Sequence, residues 1–115
     1  LIAAIAIVLL FAVSPAAHAH RASKVEASFD LEAKELTIKV YHNTPSTTLH
    51  RINRVVVQIR GKAYTYAYDE QTSKEAHEIK LPFNDVAKGD PIRIRVYCNL
   101  FGSNTLNIVA GEAQK

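Results

Sequence analysis

Ile92-Arg93-Ile94-Arg95-Val96-Tyr97-Cys98 alternates between two kinds of side chain along its whole length. Successive side chains of a β-strand point to opposite faces, so Ile92, Ile94, Val96 and Cys98 share one face and Arg93, Arg95 and Tyr97 the other. A strand with one face on a core and one in water reads this way. The same period recurs on both sides of it. Val25, Ala27 and Phe29 alternate with Lys24, Glu26 and Ser28, and Leu36, Ile38 and Val40 with Glu35, Thr37 and Lys39. Val55, Val57 and Ile59 alternate with Arg54, Val56 and Gln58. Ala63 to Tyr68, Ile79-Leu81-Phe83 and Leu106-Ile108 complete the set. Polar segments at Asp30 to Lys34, Arg60-Gly61-Lys62 and Asn84 to Pro91 read as turns. There is no helical period of useful length, no repeat and no low-complexity stretch.

About seven short strands in one domain predict an all-β, immunoglobulin-like antiparallel sandwich. The chain has no Trp and a single Cys, so the disulfide and core Trp of antibody domains are absent.

The N-terminus has a different character. Leu1 to Val13 are uninterrupted apolar, too few to cross a hydrocarbon core that needs about 20 helical residues. Pro15 follows, then Ala17-His18-Ala19, which fits an Ala-x-Ala cleavage site. Residues 1–19 therefore read as a signal peptide. It starts with Leu and lacks a basic segment, as a signal truncated at its N-terminus would. Cleavage leaves a mature domain, residues 20–115, that is secreted or periplasmic and contains no membrane span. All fourteen Lys/Arg and all eleven Asp/Glu fall in that part, giving a formal charge of +3. The basic residues are scattered, and no arginine-rich run or nucleic-acid motif is present. No nucleophile–base–acid motif, paired-carboxylate motif or phosphate loop is visible either.

A lone thiol in an oxidising compartment is exposed to oxidation, so Cys98 is expected to be buried or bound to a metal. His42 continues the inward parity of Leu36, Ile38 and Val40 at a strand end. His50 stands eight residues on, at the start of the next strand. Two imidazoles and one thiolate at adjoining strand ends suit a transition metal at one rim of the sandwich. His20 would be the mature N-terminal residue. His77 follows the polar run Thr72-Ser73-Lys74-Glu75 and is expected in solvent. Tyr64, Tyr66 and Tyr68 share one strand face, where cross-strand aromatic packing accounts for them.

Tyr97-Cys98-Asn99-Leu100-Phe101-Gly102 resembles the Y-C-N-x-H-G segment of superoxide reductases, the neelaredoxin and desulfoferrodoxin iron-binding domain. The stretch from His42 through Pro45 to His50-Arg51-Ile52 is similar to that family's H-P-x(4)-H-x-I stretch, and His20 stands where an earlier histidine is expected. The resemblance implies an immunoglobulin-like sandwich. It also implies a mononuclear non-haem iron with His20, His42 and His50 as equatorial ligands and Cys98 as the axial one. Superoxide and an electron donor are the partners it implies. The chain departs from the pattern in several places. Phe101 replaces the last histidine, the loop between His42 and His50 is longer by two residues, and Pro45 does not directly follow His42. The Glu-Lys dipeptide tied in the family to substrate attraction is missing, as is a desulforedoxin-type cysteine domain. A degenerate iron site with weakened or altered redox chemistry is the resulting expectation. Two other readings stand beside it: an interaction module that has lost its metal, and a copper site built on the α-amine and imidazole of His20.

Overall fold

The computed structural model describes residues 22–112. His20 and the expected signal peptide lie outside them. Seven antiparallel strands form two sheets: β1 (Lys24–Asp30), β2 (Glu35–Tyr41), β3 (Ile52–Ile59), β4 (Lys62–Ala67), β5 (Ala76–Pro82), β6 (Pro91–Cys98) and β7 (Ser103–Val109). One sheet has the order β1-β2-β5 and the other β4-β3-β6-β7. The molecule is therefore the all-β, immunoglobulin-like sandwich that the alternation implies. The fourth strand pairs with β3, whereas a constant-type immunoglobulin domain places its fourth strand beside the fifth. Among the described residues no helix is long and apolar enough to cross a membrane.

The turns follow local chemistry. Arg60 and Gly61 both take positive φ (48° and 79°), which closes the β3–β4 hairpin in a two-residue turn whose twist suits the strands. Between β1 and β2, Asp30 Oδ1 accepts from the N–H groups of Glu32 and Ala33 at 2.9 and 3.1 Å.

Leu36, Ile38 and Val40 of one sheet and Val55, Val57, Ile92, Ile94 and Val96 of the other form the centre of the core, all fully or almost fully buried. Burying each such side chain contributes about 1.5–3 kcal/mol. Tyr64, Tyr66 and Tyr68 pack against this core from β4 and the residue after it. Tyr64 meets Phe83 edge to face, ring centroids 5.2 Å apart. Across the strands Tyr64 and Tyr66 lie opposite Val57 and Val55 of β3, and the aromatic contact of Tyr64 is made to the other sheet's side of the core.

One irregularity positions the site. The β3–β6 register runs Val55↔Val96 and Arg54↔Tyr97, then jumps to Ile52↔Cys98. This bulge places one extra residue on β3 and reverses the parity of everything before it. Strict alternation from Val55 would face residue 53 inward; the bulge buries Ile52 instead. It also carries even-numbered His50 toward the side that Cys98 faces.

Candidate metal centre

The described residues contain one group of three or more potential metal ligands, His42, His50 and Cys98, whose donor atoms all lie within 4.8 Å of one another. They come from three places: the residue after β2, the segment entering β3 and the last residue of β6. His42 is 1% exposed and Cys98 8%, while His50 is half-buried. His50 Nε2 stands 3.1 Å from Cys98 Sγ. The two imidazoles meet edge to face, centroids 4.7 Å apart and planes at 85°.

Each donor is held by a neighbour. Gln71, 2% exposed in the β4–β5 connection, sits behind His42. Its Nε2 donates to the carbonyls of His42 and Ser73 at 2.7 and 2.9 Å. Its Oε1 accepts from the Ile52 N–H at 3.0 Å and faces His42 Nδ1 at 2.9 Å. Those partners fix which end of the amide is the oxygen. In the neutral ring His42 Nδ1 must therefore carry the proton, and Nε2 holds the lone pair that a metal needs. Gln71 thus does for His42 what a second ring of hydrogen bonds does in established metal sites: it sets tautomer and orientation.

Asn99 fixes the backbone that carries His50. Its Nδ2 donates to the Leu49 carbonyl at 2.9 Å, its Oδ1 accepts from the Arg51 N–H at 2.7 Å, and its own N–H donates to the Arg51 carbonyl at 3.0 Å. The residue after Cys98 thereby grips the backbone on both sides of His50. The Cys98 N–H donates to the Gly102 carbonyl at 3.2 Å, which closes the loop beyond the thiol. Arg51 spans the loop, donating from Nε to the Tyr68 carbonyl and from a terminal nitrogen to that of Thr48.

This arrangement fits a transition metal by its chemistry. A soft sulfur with imidazoles suits iron, zinc or copper and not calcium or magnesium, which require oxygen ligands. With metal–nitrogen bonds of about 2.0–2.1 Å and metal–sulfur bonds of about 2.3 Å, two donors on one ion sit roughly 3–4 Å apart. The His50–Cys98 pair already satisfies that spacing, and the widest pair needs roughly 1 Å of side-chain rotation. Three protein donors leave positions open for water or substrate.

Of the residues singled out in the sequence, His42, His50 and Cys98 come together, and His20 lies outside the described residues. Phe101 is 51% exposed in the β6–β7 loop. His77 is not in solvent, contrary to expectation: it is 1% exposed, on the inner face of β5. The Thr72 N–H donates to its Nδ1 at 3.2 Å, and its ring meets Tyr68 with centroids 4.4 Å apart. Burial pushes its pKa below the ordinary 6.5. The Thr72 and Ser73 hydroxyls donate to the Ala76 carbonyl and close the turn before β5, and His77, the second residue of that strand, takes an inward position that composition did not reveal. Gln71 carried no pattern signal, and Asn99 was visible only as part of the Tyr-Cys-Asn motif. Comparisons of the chain with family models, with curated proteins and with solved structures give no match, so the functional reading rests on this geometry and on the resemblance.

Proposed function

We propose that the chain is a superoxide-reductase-like domain with a degenerate mononuclear iron site, held by His42, His50 and Cys98, and with weak superoxide-reducing activity. The observation that carries the proposal is the convergence of those three donor types within 4.8 Å at one rim of the sandwich. Iron in such a donor set supplies one-electron chemistry whose potential depends on the thiolate and its surrounding hydrogen bonds. Gln71 presents the His42 lone pair, Asn99 holds His50 against the thiol, and burial shields the sulfur from bulk oxidants. Phe101 stands where the resemblance expects a further imidazole, so the site has one donor fewer, binds iron more weakly and turns over superoxide poorly. The compartment proposed with this function is the periplasm or the exterior.

The test is metal analysis and an electronic spectrum of protein purified without tags or chelators. Iron, with a visible thiolate-to-iron band that Cys98→Ser abolishes, supports the proposal. Phe101→His should then tighten iron binding and raise superoxide turnover. Copper in place of iron would favour the reading that includes His20. If the wild-type protein and Phe101→His both bind no iron, the metal reading fails. One observation would then favour an interaction module: the exposed large hydrophobics Leu49, Leu100 and Phe101 all lie in loops that contain or adjoin the candidate ligands.

A further inference from the structure

The two sheets present very different outer faces. On the three-stranded sheet the outward residues include three lysines (Lys24, Lys39, Lys80) and four acids (Glu26, Asp30, Glu35, Glu78). Cations and acids there pair as Lys24–Glu26, Lys39–Glu78 and Lys80–Glu35, at 3.6, 3.2 and 4.0 Å. On the four-stranded sheet the outward rows run Ala67–Arg54–Tyr97–Ser103, Thr65–Val56–Arg95–Thr105 and Ala63–Gln58–Arg93–Asn107. They hold three arginines and no acid, and none of the three makes an ion pair among the described residues. Side chains two apart on a strand stand roughly 7 Å apart, so the guanidinium groups repel one another with no internal compensation.

Two of the three arginines are also ordered in advance. Arg54 stacks on the Tyr97 ring at 3.9 Å, and Arg95 lies on the same ring at 5.5 Å while donating to Ser103 Oγ. A shallow depression of about 240 Å³ opens between Arg93 and Arg95 over Val56 and Gln58. Planar guanidinium groups beside a floor of mixed polarity, Val56 and the Gln58 amide, suit the bidentate capture of a carboxylate whose short aliphatic stem rests on Val56.

We infer that the outer face of the β4-β3-β6-β7 sheet docks an acidic protein surface, with the Arg93–Arg95 depression receiving a Glu or Asp side chain. The number of charges selects a protein over other polyanions. Lipid recognition of this kind uses about 4–8 clustered cations, and duplex binding about 6–10 phosphate contacts. Three arginines among small, hydroxyl and amide residues match the mixed polarity of a non-obligate protein interface, in which arginine and tyrosine are enriched. The row nearest the candidate metal centre contains Tyr97, directly before Cys98, so a docked partner sits beside that rim. The inference does not depend on whether metal is bound there.

Titration of the full chain with poly-L-glutamate at low salt, followed by amide NMR, tests it. Shifts should map to β3, β6 and β7, and Arg93→Gln with Arg95→Gln should weaken binding at least about tenfold. Lys39→Gln with Lys80→Gln, on the opposite face, should change it by less than about twofold. Equal losses in the two double variants, or no binding at all, would overturn the inference. So would tighter binding to phosphatidylglycerol vesicles or a DNA duplex, lost with the same arginines, which would assign the face to a membrane or to nucleic acid.

Discussion

His42 and His77 are both 1% exposed and both face the sandwich interior, from the end of β2 and from its neighbour β5. Burial alone does not distinguish them. Their Nδ1 partners do. His42 Nδ1 meets the Gln71 carbonyl oxygen, an acceptor, so the ring's lone pair is on Nε2. His77 Nδ1 meets the Thr72 N–H, a donor, so the neutral ring carries its proton on Nε2. The two rings are opposite tautomers. A metal can take His42 as it stands, whereas taking His77 through Nε2 means moving a proton and giving up the Thr72 bond. His77 is instead a core residue packed on Tyr68, with Nε2 making no hydrogen bond among the described residues. What makes a buried histidine available to a metal here is the group behind it.

The sharpest way to break this comparison is to remove each ring in turn. His42→Ala should lower transition-metal affinity by more than about a hundredfold, and His77→Phe by less than about threefold. Titration with cobalt(II), read through its thiolate absorption, measures both; equal losses would show that the two rings do not differ. Next in size is Ile94→Ala, at a fully buried core position in the other sheet, expected to destabilise the fold by about 2–5 kcal/mol in denaturant melts. A loss under about half a kcal/mol would mean that this side chain does not carry core packing. Gln71→Leu should weaken metal binding by about 10–100-fold by releasing the His42 tautomer. Nitrogen chemical shifts of the His42 ring should then show a mixture of tautomers, which a purely structural role for Gln71 would not produce.

The smallest effect is the pH dependence owed to His77. Its folded-state pKa is lowered by burial, so the unfolded chain takes up the proton first as pH falls. Stability from this residue is complete above the ordinary value of 6.5 and declines as pH drops toward the lowered folded-state value. One proton limits the slope to about 1.4 kcal/mol per pH unit. Melts between pH 7 and 5 should show a decline that His77→Phe removes.

The strand order in the chain and the membership of the core could be read from period-2 alternation, because each half-buried strand must separate its apolar side chains onto one face. Cys98 was legible for the same reason, as the last inward position of β6. His50 was legible only as a histidine near a strand start. Its inward orientation depends on the bulge between Ile52 and Arg54, and alternation continued back from Val55 would send it outward. A bulge follows from the pairing of two strands, which one strand's sequence does not contain. Gln71 was hidden because its distant partners, His42 and Ile52, meet only once both sheets are in place. The run Thr72 to Glu75 is exposed, as its composition implies, but His77 already belongs to β5, where its place opposite Val40 puts it on the inner face.

The closest pair in the candidate site, His50 and Cys98, is separated by 48 residues of chain. Contacts this remote form only after the entropy of closing the intervening loop has been overcome, so they arise late in folding. The thiol therefore reaches its imidazole neighbours only when β6 has docked beside β3, long after His42 and His50 have been synthesised. Metal binding by this cluster would then be a property of the finished fold, since in the unfolded chain His42, His50 and Cys98 do not converge. Any unfolding that separates β3 from β6 would break up the proposed metal centre in the same event.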